Sequence, residues 1–219
     1  MNKTLIMLSC ILFLTTTVIS ANNTLPVLAG KGRTVESFVP EGWKLIAQTS
    51  GDLNKDGLSD IAGVVESSRK WEGDSGDAAP RLLFIAFQGT DGLYRLSVQT
   101  EKAILREDQG GVWGDPFESL SVDRGSILIK FYGGSNYRWG YIYRFRYQDG
   151  GWYLIGATID SYFTGTGEGF TEDFNLLTGK MIRTKTDDKG RKKEETINRG
   201  KKKLIHLKDF DINAEEAPF

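Results

Sequence analysis

Asp52, Asn54, Asp56 and Asp60 recur at alternate or near-alternate positions in Gly51-Asp52-Leu53-Asn54-Lys55-Asp56-Gly57-Leu58-Ser59-Asp60. Each presents an oxygen, and a run of oxygen donors around one glycine is what Ca²⁺, a hard cation, prefers. The Leu58 carbonyl supplies a further donor, and Gly57 permits the sharp turn that folds the set inward. Without a metal, the same side chains would accept hydrogen bonds from their own backbone in Asx turns. The three carboxylates between Asp52 and Asp60 repel one another unless a cation intervenes, which favours calcium.

The Asp-x-Asn-x-Asp-Gly run matches the early positions of an EF-hand loop but fails at the twelfth, where a bidentate Glu is required and Gly63 stands instead. Ile61, Ala62, Val64 and Val65 surround that glycine, and β-branched apolar residues favour a strand over a helix. The loop therefore belongs between two strands, one near Trp43 to Gln48 and one from about Asp60 to Val65. In this setting Gly51 to Ile61 resembles the calcium loop of FG-GAP or VCBS-type repeats, known from integrin-like β-propellers and many exported bacterial proteins. The resemblance implies Asp52, Asn54, Asp56, the Leu58 carbonyl and Asp60 as ligands, the set that coordination chemistry also selects. The motif occurs once in the chain, whereas propellers repeat it from blade to blade.

Residues 1–21 read as a secretory signal peptide: Lys3, an apolar run from Leu5 to Leu14, and small residues at Ser20 and Ala21. The apolar stretch is short and Thr-rich for a membrane span. Cleavage would remove Cys10, the sole cysteine, so the mature protein would have neither disulfide nor thiolate chemistry. A bound metal would then supply stability that secreted domains often take from cross-links. No second membrane segment is expected, and a formal net charge of −1 gives no global attraction to nucleic acid. These features point to a periplasmic or secreted bacterial protein, with residues 22–219 forming one β-rich domain.

The elements that must hold such a loop are strands. Glycine is abundant at 26 of 219 residues and long helical periodicity is absent, so the class is all-β, with antiparallel strands and meanders arranged as partial propeller-like blades or as a sandwich. Residues 22–40 form an N-terminal arm. The segment from Glu66 to Pro80 is a polar insertion carrying Trp71, expected to fold back on the core. Arg81 to Gln88 and Tyr94 to Thr100 make a hairpin through Thr90-Asp91-Gly92. Gly110 to Glu118, with Trp113, reads as a shaped loop of the kind that carries function. A three-strand meander follows at Ile127 to Tyr132, Tyr137 to Tyr147 and Trp152 to Ile159. Its middle strand sets Trp139, Tyr141, Tyr143, Phe145 and Tyr147 on one face and Arg138, Ile142, Arg144 and Arg146 on the other. The aromatic face is assigned to the core, and the arginines to ion pairs with carboxylates on neighbouring strands, an anionic partner or glycan being the alternative. Short strands at Phe174 to Leu177 and Lys180 to Thr184, a charged hairpin with its tip at Asp187 to Gly190, a last strand at Leu204 to Leu207 and a frayed tail from Asp209 complete the reading.

His206, the one histidine, lies in an apolar run with no nucleophile signature and is read as structural. Asp115, Glu118, Glu168 and Glu172 lie in Gly-rich loops and are the carboxylates that a glycan-cleaving hydrolase would use. The sequence as a whole favours a calcium-braced binding module with a protein or glycan partner. A glycan hydrolase and a periplasmic inhibitor or immunity protein are the alternatives.

Overall fold

A computed structural model describes residues 24–69 and 78–214. The signal-peptide reading and Trp71 fall outside the described residues. Strand accounts for 53% of the described residues and helix for 6%, in two antiparallel sheets, one of them curled into a half-barrel, which makes the fold all-β and sandwich-like.

The first sheet contains β1 (Lys31–Gly32), β2 (Trp43–Gly51), β3 (Asp60–Ser67), β4 (Arg81–Gln88) and β5 (Tyr94–Thr100), in the order β1-β5-β4-β3-β2. The second contains β6 (Phe117–Asp123), β7 (Ser126–Gly134), β8 (Tyr137–Gln148), β9 (Gly151–Phe163), β10 (Gly169–Asn175), β11 (Lys180–Thr186) and β12 (Lys192–Asn198). Those seven strands lie side by side in sequence order, an unbroken meander. The predicted hairpins and the three-strand meander are present, the meander strands running up to four residues past the predicted ends, but the short strand expected at Phe174 to Leu177 lies earlier, at Gly169–Asn175.

Burial explains why β3 and β4 are nearly continuous apolar runs. One face packs Ala62, Val64, Leu83 and Ile85 against Ile127, Ile129, Phe131 and Phe145 of the second sheet. The other face carries Val65, Leu82 and Phe84, covered by Leu28 and Phe38 of the N-terminal arm, with Phe38 stacked on Phe84 at 5.3 Å. A strand with both faces covered loses the polar alternation of a half-exposed one. The arm thus serves as a lid over the first sheet, a role its irregular sequence did not announce.

The predicted aromatic face of β8 is the core face: Tyr143 and Phe145 are buried and Trp139, Tyr141 and Tyr147 pack at the margin. Burial of each such ring contributes roughly 1.5–3 kcal/mol. The end of the chain departs from the sequence reading in two ways. Leu204 to Leu207 forms no strand; its backbone instead follows β9 through a single bridge between Tyr153 and His206. Beyond Asp209 the chain does not simply fray, because Phe210 is 1% exposed and meets Tyr143 and Phe145 edge-on at 4.9 and 5.2 Å. Among the described residues, no helix is long and apolar enough to cross a membrane.

Candidate functional site

The loop between β2 and β3 gathers the five predicted ligand residues into one turn. Gly63 lies in β3, paired with Gln48 and Phe84, so the loop joins two strands and not two helices. Asp52 Oδ1 accepts from the backbone N–H of Lys55 and Asp56 at 2.7 and 3.2 Å, and its Oδ2 accepts from Gly57 at 3.1 Å. Asn54 Oδ1 accepts from Asp56 N–H at 3.0 Å, Asp56 Oδ1 from Leu58 N–H at 2.8 Å, and Asn54 Nδ2 donates to Asp56 Oδ2 at 2.9 Å. Lys55 and Gly57, with φ of 67° and 84°, supply the left-handed steps that bring these amides round.

Asp60 stands apart. It is 0% exposed, its Oδ2 accepts from Leu53 and Asn54 N–H at 2.8 and 3.2 Å, and its Oδ1 accepts from Gln88 N–H at 2.9 Å. It therefore pins the loop to the end of β4. Burial raises its pKa above the ordinary aspartate value, against the lowering effect of those three amides. Each oxygen carries two lone pairs, so Asp52 Oδ2, Asn54 Oδ1 and both Asp56 oxygens keep one for a further partner. The donor set is all oxygen and fits a hard cation in kind. Among the described residues, however, no three His, Cys, Asp or Glu side chains are arranged to hold a metal ion. As they stand, the acids are turned onto backbone amides.

The four hydrolase carboxylates are not brought together. Asp115 and Glu118 line one groove of about 470 Å³ with Lys44, Glu66 and Glu107. Glu168 lines a different one with Phe170 and Arg191, and Glu172 accepts from Arg183 Nε at 2.6 Å. Burial pushes the Asp115 pKa up, but the two bonds from the terminal nitrogens of Arg81, the Phe117 N–H and the charges of Arg81 and Lys44 together hold it below the ordinary value. A general acid needs the opposite shift. His206 accepts from Lys208 N–H through Nδ1 at 3.1 Å and lies edge-on to Tyr153, a structural placement.

The Gly110–Glu118 loop does build a shaped surface. A 3₁₀ segment, Glu107–Trp113, ends between Gly111 and Gly114, whose positive φ of 66° and 94° turn the indole outward. Trp113 is 52% exposed, meets Tyr132 edge-on at 5.0 Å, and has the Arg138 guanidinium 4.6 Å from its ring centroid. Arg138 in turn donates to the Gly134 carbonyl at 3.0 Å, and the backbone N–H of Tyr132 bonds the Pro116 carbonyl at 2.9 Å. Next to Trp113 in the chain, Val112 is 84% exposed. The platform continues over β8, where Gly140 leaves room for the Asp160 side chain: a Cβ there would lie 2.5 Å from Asp160 Oδ1. The hydroxyls of Tyr132 and Tyr162 meet at 2.8 Å.

The arginines of β8 are only partly ion-paired. Arg144 reaches Asp123 at 2.8 Å as expected, but Arg146 donates to the neutral Gln148 side chain at 2.6 and 3.1 Å, and Arg138 goes to a carbonyl and a ring. Lys130, Tyr132, Asp160 and Tyr162 share that outer face and were not singled out from sequence. The signal was present: Lys130 and Tyr132 alternate with Ile127, Ile129 and Phe131, so period-two reading places them opposite the core.

Comparison of the chain with family models, with curated proteins and with solved structures finds no match, so the resemblance to FG-GAP and VCBS loops rests on Gly51 to Ile61 alone.

Proposed function

We propose that this protein is an exported, non-catalytic binding module that engages its partner through the outer face of the β6–β12 sheet. The observation that carries the reading is Trp113, half exposed yet held by Tyr132 and Arg138. A large ring kept rigid at the surface costs little further entropy on binding, which is why such residues serve as anchors. The dispersed acids, with Glu118 and Glu172 on strands and not in loops, and the Arg81 clamp on Asp115 speak against hydrolysis. The stretch up to Ala21 supports export.

Calcium has a bracing role in this proposal. Asp52, Asn54, Asp56, Leu58 and Asp60 would hold it, and the ion would neutralise acids now restrained by neutral amides. The loop abuts the β6–β7 turn, since a Cβ on Gly51 would meet Val122 at 2.8 Å and one on Gly125 the Asp52 carbonyl at 3.4 Å. Trp113 precedes the far end of β6, so the ion would steady the sheet edge and not the indole directly. A protein partner, as for a periplasmic inhibitor or immunity protein, is the second reading, favoured by the exposed apolar Val112 next to Trp113. A glycan array probed with wild type and Trp113→Ala tests the proposal. Retention that depends on Trp113 is expected; retention unaffected by the substitution, or release of shortened glycans, would overturn it.

A further inference from the structure

Behind the Trp113 platform, the outer face of β7, β8 and β9 runs on as a groove of about 600 Å³ whose lining includes Arg124, Lys130, Arg144 and Arg146 together with Ser126 and Thr158. The register sets these residues in successive rungs: Ser126 beside Arg146, Leu128 beside Arg144, Lys130 beside Ile142 and Thr158, then Tyr132 beside Gly140 and Asp160, and Gly134 beside Arg138 and Tyr162. From Arg146 to Arg138 the track covers nine residues of β8, about 27 Å of strand.

Its charge is not compensated from within. Asp123 serves both Arg124 and Arg144, at 3.3 and 2.8 Å. Asp173, which itself lines the groove, accepts from Thr158 Oγ1 at 3.1 Å. Among the described residues, Lys130 and Arg146 make no ion pair. Four cations against two carboxylates, in a protein of net charge −1, mark a surface built for negative charge.

We infer that this track binds an acidic oligosaccharide, its anionic groups on Lys130, Arg144 and Arg146 and a sugar ring stacked on Trp113. The inference rests on the Trp113 reading and names its ligand class. The two ends of the track choose among polyanions. At the cationic end Ser126 and Thr158 add hydroxyls suited to a sugar. At the aromatic end Asp160, among the described residues, accepts no hydrogen bond from a cation, and Glu118 acts on it as a like charge. A polyphosphate or polyglutamate strand would set only anionic side groups against Asp160, whereas a uronate ring also carries hydroxyls that donate to a carboxylate and a C–H face that packs on an indole.

The test is calorimetric titration of the mature protein with four probes: hexagalacturonate, neutral cellohexaose, hexaglutamate and an oligothymidylate. Wild type is compared with Trp113→Ala and with Lys130→Gln/Arg146→Gln, each checked for an unchanged melting profile. The expected result is salt-sensitive binding of hexagalacturonate in clear preference to the others. It should weaken roughly tenfold or more for each cation removed and about thirtyfold in Trp113→Ala. Equal binding of cellohexaose, lost in Trp113→Ala but intact in the double variant, would overturn the acidic class and leave the Trp113 site standing. Tighter binding of hexaglutamate or oligothymidylate would overturn the sugar class. Loss in the double variant with none in Trp113→Ala would overturn the Trp113 reading and the continuous track with it. Absence of heat from all four probes would overturn the inference outright.

Discussion

Arg81 grips Asp115 through two parallel bonds, Nη1 to Oδ1 at 2.8 Å and Nη2 to Oδ2 at 2.6 Å, and so fastens β4 to the loop that delivers Trp113. The same guanidinium donates to the Leu105 carbonyl at 3.0 Å and, through Nε, to the buried Glu66 at 2.6 Å. Lys44 reaches the other Glu66 oxygen at 2.7 Å, from a mostly exposed position that screens its contribution. Removing Arg81 leaves Glu66 buried without its principal partner. Arg81→Ala should therefore cost about 3–5 kcal/mol in urea unfolding. Arg81→Met/Glu66→Leu should recover much of that loss, since apolar replacement of both members restores packing without a stranded charge. A single-variant cost below about 1 kcal/mol would mean that the clamp does not hold the fold.

Asp115 gives that clamp a pH signature. Burial alone would raise its pKa, but the Arg81 hydrogen bonds, the Phe117 N–H and the charges of Arg81 and Lys44 lower it by more. A carboxyl depressed in the folded state contributes stability above its unfolded value, here 3.8, and loses it as pH falls through the lower folded value. Asp115→Asn should thus be less stable than wild type at neutral pH, with the two melting profiles converging in strong acid. Parallel profiles down to about pH 2 would contradict this assignment.

How far the fold could be read beforehand follows from which forces act locally. Turn chemistry at Thr90-Asp91-Gly92 and alternation along β8 are local, and both were legible. The N-terminal arm was not, because Leu28 and Phe38 are buried by a sheet formed far along the chain, and only the continuous apolar runs of β3 and β4 hinted at a second covered face. Phe210 was hidden for the same reason: one aromatic residue in a polar tail carries no period. The loop at Asp52 to Asp60 was legible as an oxygen-rich turn, but the different task of Asp60 depends on the Gln88 amide, 28 residues away. The outer face was half legible, since alternation locates Lys130 and Arg146 on it but cannot tell which arginine finds a carboxylate.

Asp160 is the place where binding and stability should pull apart. Burial first, then the field of Glu118, holds its carboxyl above the ordinary aspartate value, and the titratable groups facing it are Glu118 on β6, Tyr132 on β7 and Tyr141 on β8. An acid raised in the folded state favours folding when protonated. That contribution is complete below the unfolded value of 3.8 and is lost as pH rises through the folded one. At neutral pH the charged form is a liability, so Asp160→Asn should melt higher than wild type there, with the advantage shrinking in acid. It should also bind hexagalacturonate more weakly, as expected where a strained group is kept for function. An Asn variant that melts lower at neutral pH would show that the carboxylate stabilises the fold.

Calcium can be separated from the Asx-turn network because Asp60 and the outer acids have different tasks. If the loop takes an ion, millimolar Ca²⁺ should raise the melting midpoint over an EGTA control, by up to about 2.7 kcal/mol of stability where the ion stands a hundredfold above its dissociation constant. Asp52→Ala and Asp56→Ala should abolish that rise while changing the EGTA midpoint modestly, since each removes bonds to exposed amides. Asp60→Ala should behave differently. It strands the N–H groups of Leu53, Asn54 and Gln88, at about 1–3 kcal/mol for each one left buried and unpaired, so it should lower the midpoint in both buffers. Superimposable wild-type curves with and without Ca²⁺ would make the loop a self-capped hairpin, and the destabilisation by Asp60→Ala would then measure the whole of its purpose.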